Sequence, residues 1–242
     1  MFHAVFYKPM YNALVYIISI LPNHDVATAV VILTILVKFI LLPLSKKMFL
    51  SQIAQRKIQP IIAKLQEEYK DNRQVLGIKM MEVYKEHKLN PFSSILLMLI
   101  QIPIVFALYF VFSKGGLPVL KIEDLYSFTP HIIQIQHILF GIDFTKASFY
   151  IGIAAAVAQS LQIRLSLNGM HPKGEVVKKD SAPRPEEMIQ KQMTVMMKYF
   201  FPVLIFFVSL KVSAAVALYW IVSSIFIIVQ ELYFRKKYKL VD

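Results

Sequence analysis

Long apolar stretches alternate along the chain with charged ones. About 20 mostly apolar residues cross a bilayer, and four stretches reach or approach that length: 26–44, 92–112, 147–167 and 213–233. A fifth, 199–210, is short but very apolar; extended back to Met193 it becomes long enough, with Lys198 snorkelling to the interface. The stretch 6–21 is shorter after Pro9, and its aromatics and Lys8 predict an amphipathic helix lying in the interface rather than a sixth span. Segment 45–90 carries apolar residues at Ile58, Ile61, Ile62, Leu65 and Tyr69, then at Leu76, Met80, Val83 and Tyr84. Both spacings are helical. Asp71-Asn72 interrupts them, which predicts a charged antiparallel helical hairpin.

The predicted fold class is therefore an all-α membrane protein. Its parts are an interfacial helix over 1–24, transmembrane helices over 25–44, 91–113, 147–167, 193–210 and 212–233, and the hairpin over 45–90. Loops cover 114–146 and 168–192, and a tail covers 234–242. The second loop, with Gly169, Pro172, Gly174, Pro183 and Pro185 among mixed charges, is expected to be flexible. No internal repeat is visible, so an inverted-repeat transporter has no support at this level.

The composition agrees: 57% hydrophobic residues and a mean hydropathy of +0.55 exceed what soluble domains carry. A net charge of +12 would suggest nucleic acid on a soluble protein; on a membrane protein its distribution orients the spans. Ten Lys and Arg fall in 45–90, five in 168–192 and four after Tyr233, against three in 113–146 and one each at Lys8 and Lys211. The positive-inside tendency then places the N-terminus outside and the C-terminus in the cytoplasm, in a multi-pass protein of the cell (plasma or inner) membrane. No secretory signal peptide is expected, because no small-residue cleavage site follows residues 1–21.

Little catalytic chemistry is on offer. The chain has no cysteine, and it has no HExxH, P-loop, GxSxG or dinucleotide fingerprint. Asp and Glu are absent from the span interiors, and all six His lie outside them. An enzyme, a metal site and a cofactor are therefore not expected. At depth stand Thr34, Gln101, Gln159, Ser160, Gln162, Ser209, Ser223, Ser224 and Gln230, which face a bundle interior or a hydrated cavity rather than lipid. A lone Ser or Gln in a span is more often interhelical glue than a ligand contact. Lys38 is different: it lies deep in an apolar helix, where a charge costs at least ~2.5–3.5 kcal/mol on insertion scales. Thr34, one turn before it, shares its face. A hydrated cavity around Lys38 is the favoured reading over snorkelling.

Several runs match one family pattern in order and spacing. They are Leu33-Thr34-Ile35-Leu36-Val37-Lys38 with Pro43-Leu44-Ser45, and Gln59-Pro60 followed by Lys64-Leu65-Gln66-Glu67-Glu68-Tyr69-Lys70-Asp71. Met80-Met81-Glu82-Val83-Tyr84-Lys85-Glu86, Asn90-Pro91-Phe92, Leu99-Ile100-Gln101-Ile102-Pro103-Ile104 and Ala107-Leu108-Tyr109 follow. Leu218-Tyr219-Trp220-Ile221-Val222-Ser223 with Gln230 completes the set. Together they resemble the YidC family of membrane protein insertases, which has mitochondrial and thylakoid relatives, over about residues 24–236.

The resemblance implies five transmembrane helices forming a hydrophilic groove, with a positive residue that attracts the acidic or polar part of a client. Carried onto this chain, the groove residues are Lys38, Thr34, Gln101, Gln159, Ser223 and Trp220, and the hairpin would dock through Arg56, Lys57, Lys64 and Arg73. The implied partners are nascent membrane protein clients, membrane lipids, the Sec translocon and the ribosome, with no direct nucleic-acid readout. The implied function is to pass client segments into the bilayer as insertase and chaperone, alone or with Sec. A small transporter or channel using Lys38 as an anion or proton site is the alternative.

The chain also departs from the family. The groove cation is usually Arg and here is Lys38, which keeps the charge but loses the planar fork. After Asn90-Pro91 stand Ser93, Ser94, Ile95 and Leu97 instead of Gly-Gly-Cys and a Pro, and the last span has Ser213 and Ala215 for the usual Pro and Gly. The large outer domain of some relatives is not expected here, and with so short a tail ribosome contact would be expected to rest mainly on loops.

Overall fold

The computed structural model describes residues 1–90, 93–113, 117–132, 134–168 and 195–238; the predicted loop over 168–192 lies almost wholly outside them. The helices are α1 (Lys8–Ile20), α2 (Val26–Ile40), α3 (Leu42–Glu68), α4 (Arg73–Glu86), α5 (Ser93–Ser113), α6 (Phe149–Asn168), α7 (Phe201–Ser209) and α8 (Ala214–Lys237). Wider π-helical turns precede α1 at His3–Tyr7 and α7 at Met196–Phe200. Among the described residues the one strand ladder is a ribbon of two short strands, β1 (Ile138–Leu139) and β2 (Ile142–Asp143), antiparallel about Gly141 at φ +76. The chain divides into two compact units, residues 1–40 with 102–242, and residues 41–101.

The first unit is built on α8, against which α2 and α6 pack. Three helices start from one loop. Val26 N donates to Gln136 O at 2.9 Å, Ala214 N to Lys146 O at 2.7 Å and Ala215 N to Phe144 O at 3.0 Å, while Lys146 lies just ahead of α6. Asp25 caps α2 by accepting from Thr28 N at 2.6 Å, as an Asx N-cap does. α2, α6 and α8 therefore run parallel, with small Ala214, Ala215 and Ala217 fully buried where the backbones converge. α7 returns antiparallel into α8 through a tight turn and packs on α6. There Gly152 faces Ser209: a Cβ on the glycine would stand 3.1 Å from the Ser209 Cβ.

α1 differs from a helix that only lies in the interface. It packs on α2 and buries Tyr11, Leu14, Val15 and Ile18 completely. Its keystone is Asn12, 2% exposed, whose Oδ1 accepts from Tyr126 N (2.6 Å) and Thr129 Oγ1 (2.7 Å) and whose Nδ2 donates to Lys8 O and Asp124 O (both 2.8 Å). Lys121 N donates to Tyr11 Oη at 2.8 Å. A loop with little regular structure carries unpaired backbone groups, and Asn12 and Tyr11 satisfy several of them.

In the second unit α3 begins at Leu42, a few residues ahead of the expected hairpin boundary. Pro43 explains this: its ring disfavours continuation from α2 but is tolerated in the first turn of a new helix. α3 and α4 contact each other and bury Ile58, Ile62 and Leu76. The reversal at 69–72 is closed by Asn72, whose side chain accepts from Val75 N. Gln55 Nε2 donates to Asn90 O at 3.0 Å, which ties the start of the hairpin to its end.

Two stability outcomes follow. Asn12→Leu strands several buried backbone groups at once, and the expected loss is about 2–3 kcal/mol, read by thermal unfolding in detergent with faster proteolysis in 117–132. Gly152→Leu overpacks the α6–α7 contact and is expected to cost about 1–3 kcal/mol, whereas substitution at exposed Gly77, with nothing within 4 Å, leaves the melting temperature within error.

Candidate functional site

The buried face of α2 is a stripe at four-residue spacing, Val26, Val30, Thr34 and Lys38, with Ala27, Ala29 and Leu33 beside it. Leu36, Phe39 and Ile40 face outward. Lys38 thus continues the inward face of its helix and is only 7% exposed. Thr34, 2% exposed, donates its hydroxyl to Val30 O at 2.6 Å, one turn back on its own helix. That bond occupies its donor and leaves its oxygen lone pairs for other groups.

The other groups of the first unit are placed by the parallel packing. Phe39 on α2 meets Phe226 on α8 edge-on at 5.4 Å, which sets Thr34 and Lys38 level with the turn of α8 holding Ile221 to Ile225. Ser224 donates to Gln159 Oε1 at 3.2 Å, which sets Gln159 of α6 at the same level; its Nε2 donates in turn to Gln162 at 2.9 Å. Ser223 is buried and Trp220 half-buried one turn earlier. Lys38, Thr34, Gln159, Trp220 and Ser223 therefore lie in one layer across α2, α6 and α8. Gln101, half-buried on α5, belongs to the second unit. Arg56, Lys57, Lys64 and Arg73 are also in that unit, on α3 and α4, and the side chains of Lys57, Lys64 and Arg73 are exposed.

The structure adds a second polar cluster, at the end of α8, that the hydropathy pattern does not single out. Glu231, 8% exposed, accepts from Ser166 Oγ at 2.6 Å and pairs with Arg235 at 2.5 Å. Arg235 Nη2 also donates to Leu165 O at 2.6 Å, one of the carbonyls that the end of α6 leaves without an intrahelical partner. The i,i+4 spacing of Glu231 and Arg235 was the available signal; the partners on α6 were not readable from it. Among the described residues no group of three or more His, Cys, Asp or Glu could hold a metal ion.

The first unit is thus a set of apolar helices, three of them parallel, packed around buried and half-buried polar groups, an arrangement that fits a helical membrane protein. α8 is long and apolar enough by itself to cross a bilayer, and α2 reaches that length only when continued past the break at Leu41. A family model described as 60Kd inner membrane protein matches residues 18–240. The chain belongs to that family, the family of the YidC insertases. It is 34% identical over 211 residues to proteins named membrane protein insertase YidC from Francisella philomiragia and from Francisella tularensis subsp. novicida. The match covers 87% of this chain and 32% of each relative, so the chain spans about a third of the length of the curated relatives it matches.

Breaking the buried pair is expected to be costly and repairing it cheap. Glu231→Ala leaves Arg235 uncompensated and should lose about 3 kcal/mol, while Glu231→Leu with Arg235→Met should recover most of it. Thermal unfolding of the single and double variants checks this.

Proposed function

We propose that this chain inserts client transmembrane segments into the bilayer along a hydrophilic groove built on the layer of α2, α6 and α8. Lys38 is its central charge, and Thr34, Gln159, Trp220 and Ser223 line it. The observation that carries the reading is Lys38 on the inward stripe of an apolar helix, level with buried Ser223 and Ser224 of α8 and half-buried Gln159 of α6. The names of the relatives point the same way.

In this reading five helices span the membrane. The shared loop start of α2, α6 and α8 lies outside, and the basic hairpin and the C-terminus lie in the cytoplasm. The Lys and Arg distribution supports that orientation. The hairpin presents exposed Lys57, Lys64 and Arg73 to incoming clients. Nascent membrane proteins and lipids are the partners, with the ribosome and the Sec translocon on the cytoplasmic and lateral sides.

An acidic client tail entering apolar surroundings loses hydration, and a fixed cation in a wet groove offsets part of that cost. The client's apolar segment supplies the driving force, about 0.8 kcal/mol per CH₂ transferred to lipid.

The test is insertion of a small client with an acidic outer tail into vesicles holding the purified chain and no Sec. Lys38→Ala is expected to reduce insertion by about fivefold or more, the factor that ~1 kcal/mol of lost charge attraction gives. Lys38→Arg should insert as wild type, and a client with a neutral tail should be little affected by either. Equal insertion by Lys38→Ala would overturn the role of the charge, and ion flux through the same vesicles without insertion would favour a transporter.

A further inference from the structure

The turn between α7 and α8 is tight: Lys211 N donates to Val208 O at 2.9 Å and Val212 N to the same carbonyl at 3.2 Å. Together with the last turn of α5 and the segment leading into α6, it closes around a pocket of about 170 Å³. Tyr109, Phe112, Thr145, Ala147, Lys211 and Ser213 line it. We propose that this pocket holds the phosphate headgroup of an anionic phospholipid, with Lys211 as its countercharge.

Four observations carry this. The pocket sits where α5 ends at Ser113, α7 ends at Ser209, α6 begins at Phe149 and α8 begins at Ala214, and helix ends in a bilayer mark the headgroup depth. The Lys211 charge is uncommitted: among the described residues no carboxylate pairs with it. Of the adjoining loop's carboxylates, Asp124 pairs with His3 at 3.2 Å and Asp143, two residues from the pocket-lining Thr145, is engaged with Lys146 at 3.2 Å. Burial pushes the Asp143 carboxyl up, but bonds from Thr145 and Lys146 outweigh that and hold it below its ordinary value. In the same wall the Ser213 hydroxyl is buried with no hydrogen-bond partner among the described residues, a deficit that an acceptor oxygen would relieve. Finally, Phe149 on α6 and Val203 and Phe207 on α7 are exposed along the helices leading away from the pocket, where acyl chains would lie. A lysine is a compact point charge suited to phosphate. A free phosphate would use the same charge but not those apolar faces.

The proposal rests on the membrane-spanning reading above and not on insertion, so its readout is bound lipid rather than client. Delipidated full-length protein would be titrated with phosphatidylglycerol, with phosphatidylcholine and with inorganic phosphate, and occupancy read by native mass spectrometry. Lys211 and Ala147 are both exposed, so Lys211→Gln removes the charge and Ala147→Trp fills the pocket with little effect on folding; Ala147→Leu serves as the milder filling. The wild type is expected to retain phosphatidylglycerol over phosphatidylcholine, and each variant to lose about fivefold or more of it. Three results would overturn the proposal: retention unchanged in both variants, loss with Lys211→Gln but not with the filled pocket, or inorganic phosphate displacing the lipid at equal concentration. The second of these would mean that the charge attracts lipid without a site.

Discussion

The packing of α2 and α6 onto α8 is the interaction from which the rest of the first unit follows. Helices in hydrocarbon gain little from burying one apolar face against another, since lipid is equally apolar. Close backbone approach and interhelical hydrogen bonds must decide the geometry. Ala214, Ala215 and Ala217 supply that approach at the start of α8, and Gly152 does the same for α6 against α7. The three helices start from one loop and run parallel, so residues far apart in sequence fall into layers.

Two of those layers are polar, and they do different work. The layer of Glu231, Arg235, Ser166 and Leu165 is closed: every charge meets an opposite charge or a helix-end carbonyl, and its role is to hold α6 to α8. The layer of Thr34, Gln159 and Ser224 is stitched partly to itself, with Thr34 spent on its own helix and Gln159 bridging to α8. Interhelical glue therefore accounts for part of what a list of polar span residues suggests. Lys38 differs from these groups in carrying a charge on the inward face of an apolar helix, which interhelical packing by itself does not require.

The loop over 117–148 carries little regular structure, and its order comes from side chains. Asn12 satisfies four groups, and the backbone of the loop pairs with the first residues of α2 and α8. The same loop that caps one end of the bundle thus also sets where its helices start.

The sequence by itself determined the helices, their approximate lengths, the reversal at Asp71-Asn72 and the family, because hydropathy, helical periodicity and local turn chemistry are short-range properties. It also singled out Lys38, since a charge within an apolar run is visible without coordinates. Other features needed the tertiary structure. That Asn12 is a hub and that Arg235 caps α6 depend on residues more than 60 positions apart, as with Leu165 and Arg235, and that α1 buries its apolar face depends on its packing against α2. Leu41 as the breakpoint was within reach through Pro43, and the family resemblance named Lys38, Gln159 and Ser223 together, but the bond from Ser224 to Gln159 that sets α6 against α8 was not readable. Periodicity says which residues share a face of one helix, and only packing decides which faces meet and at what height.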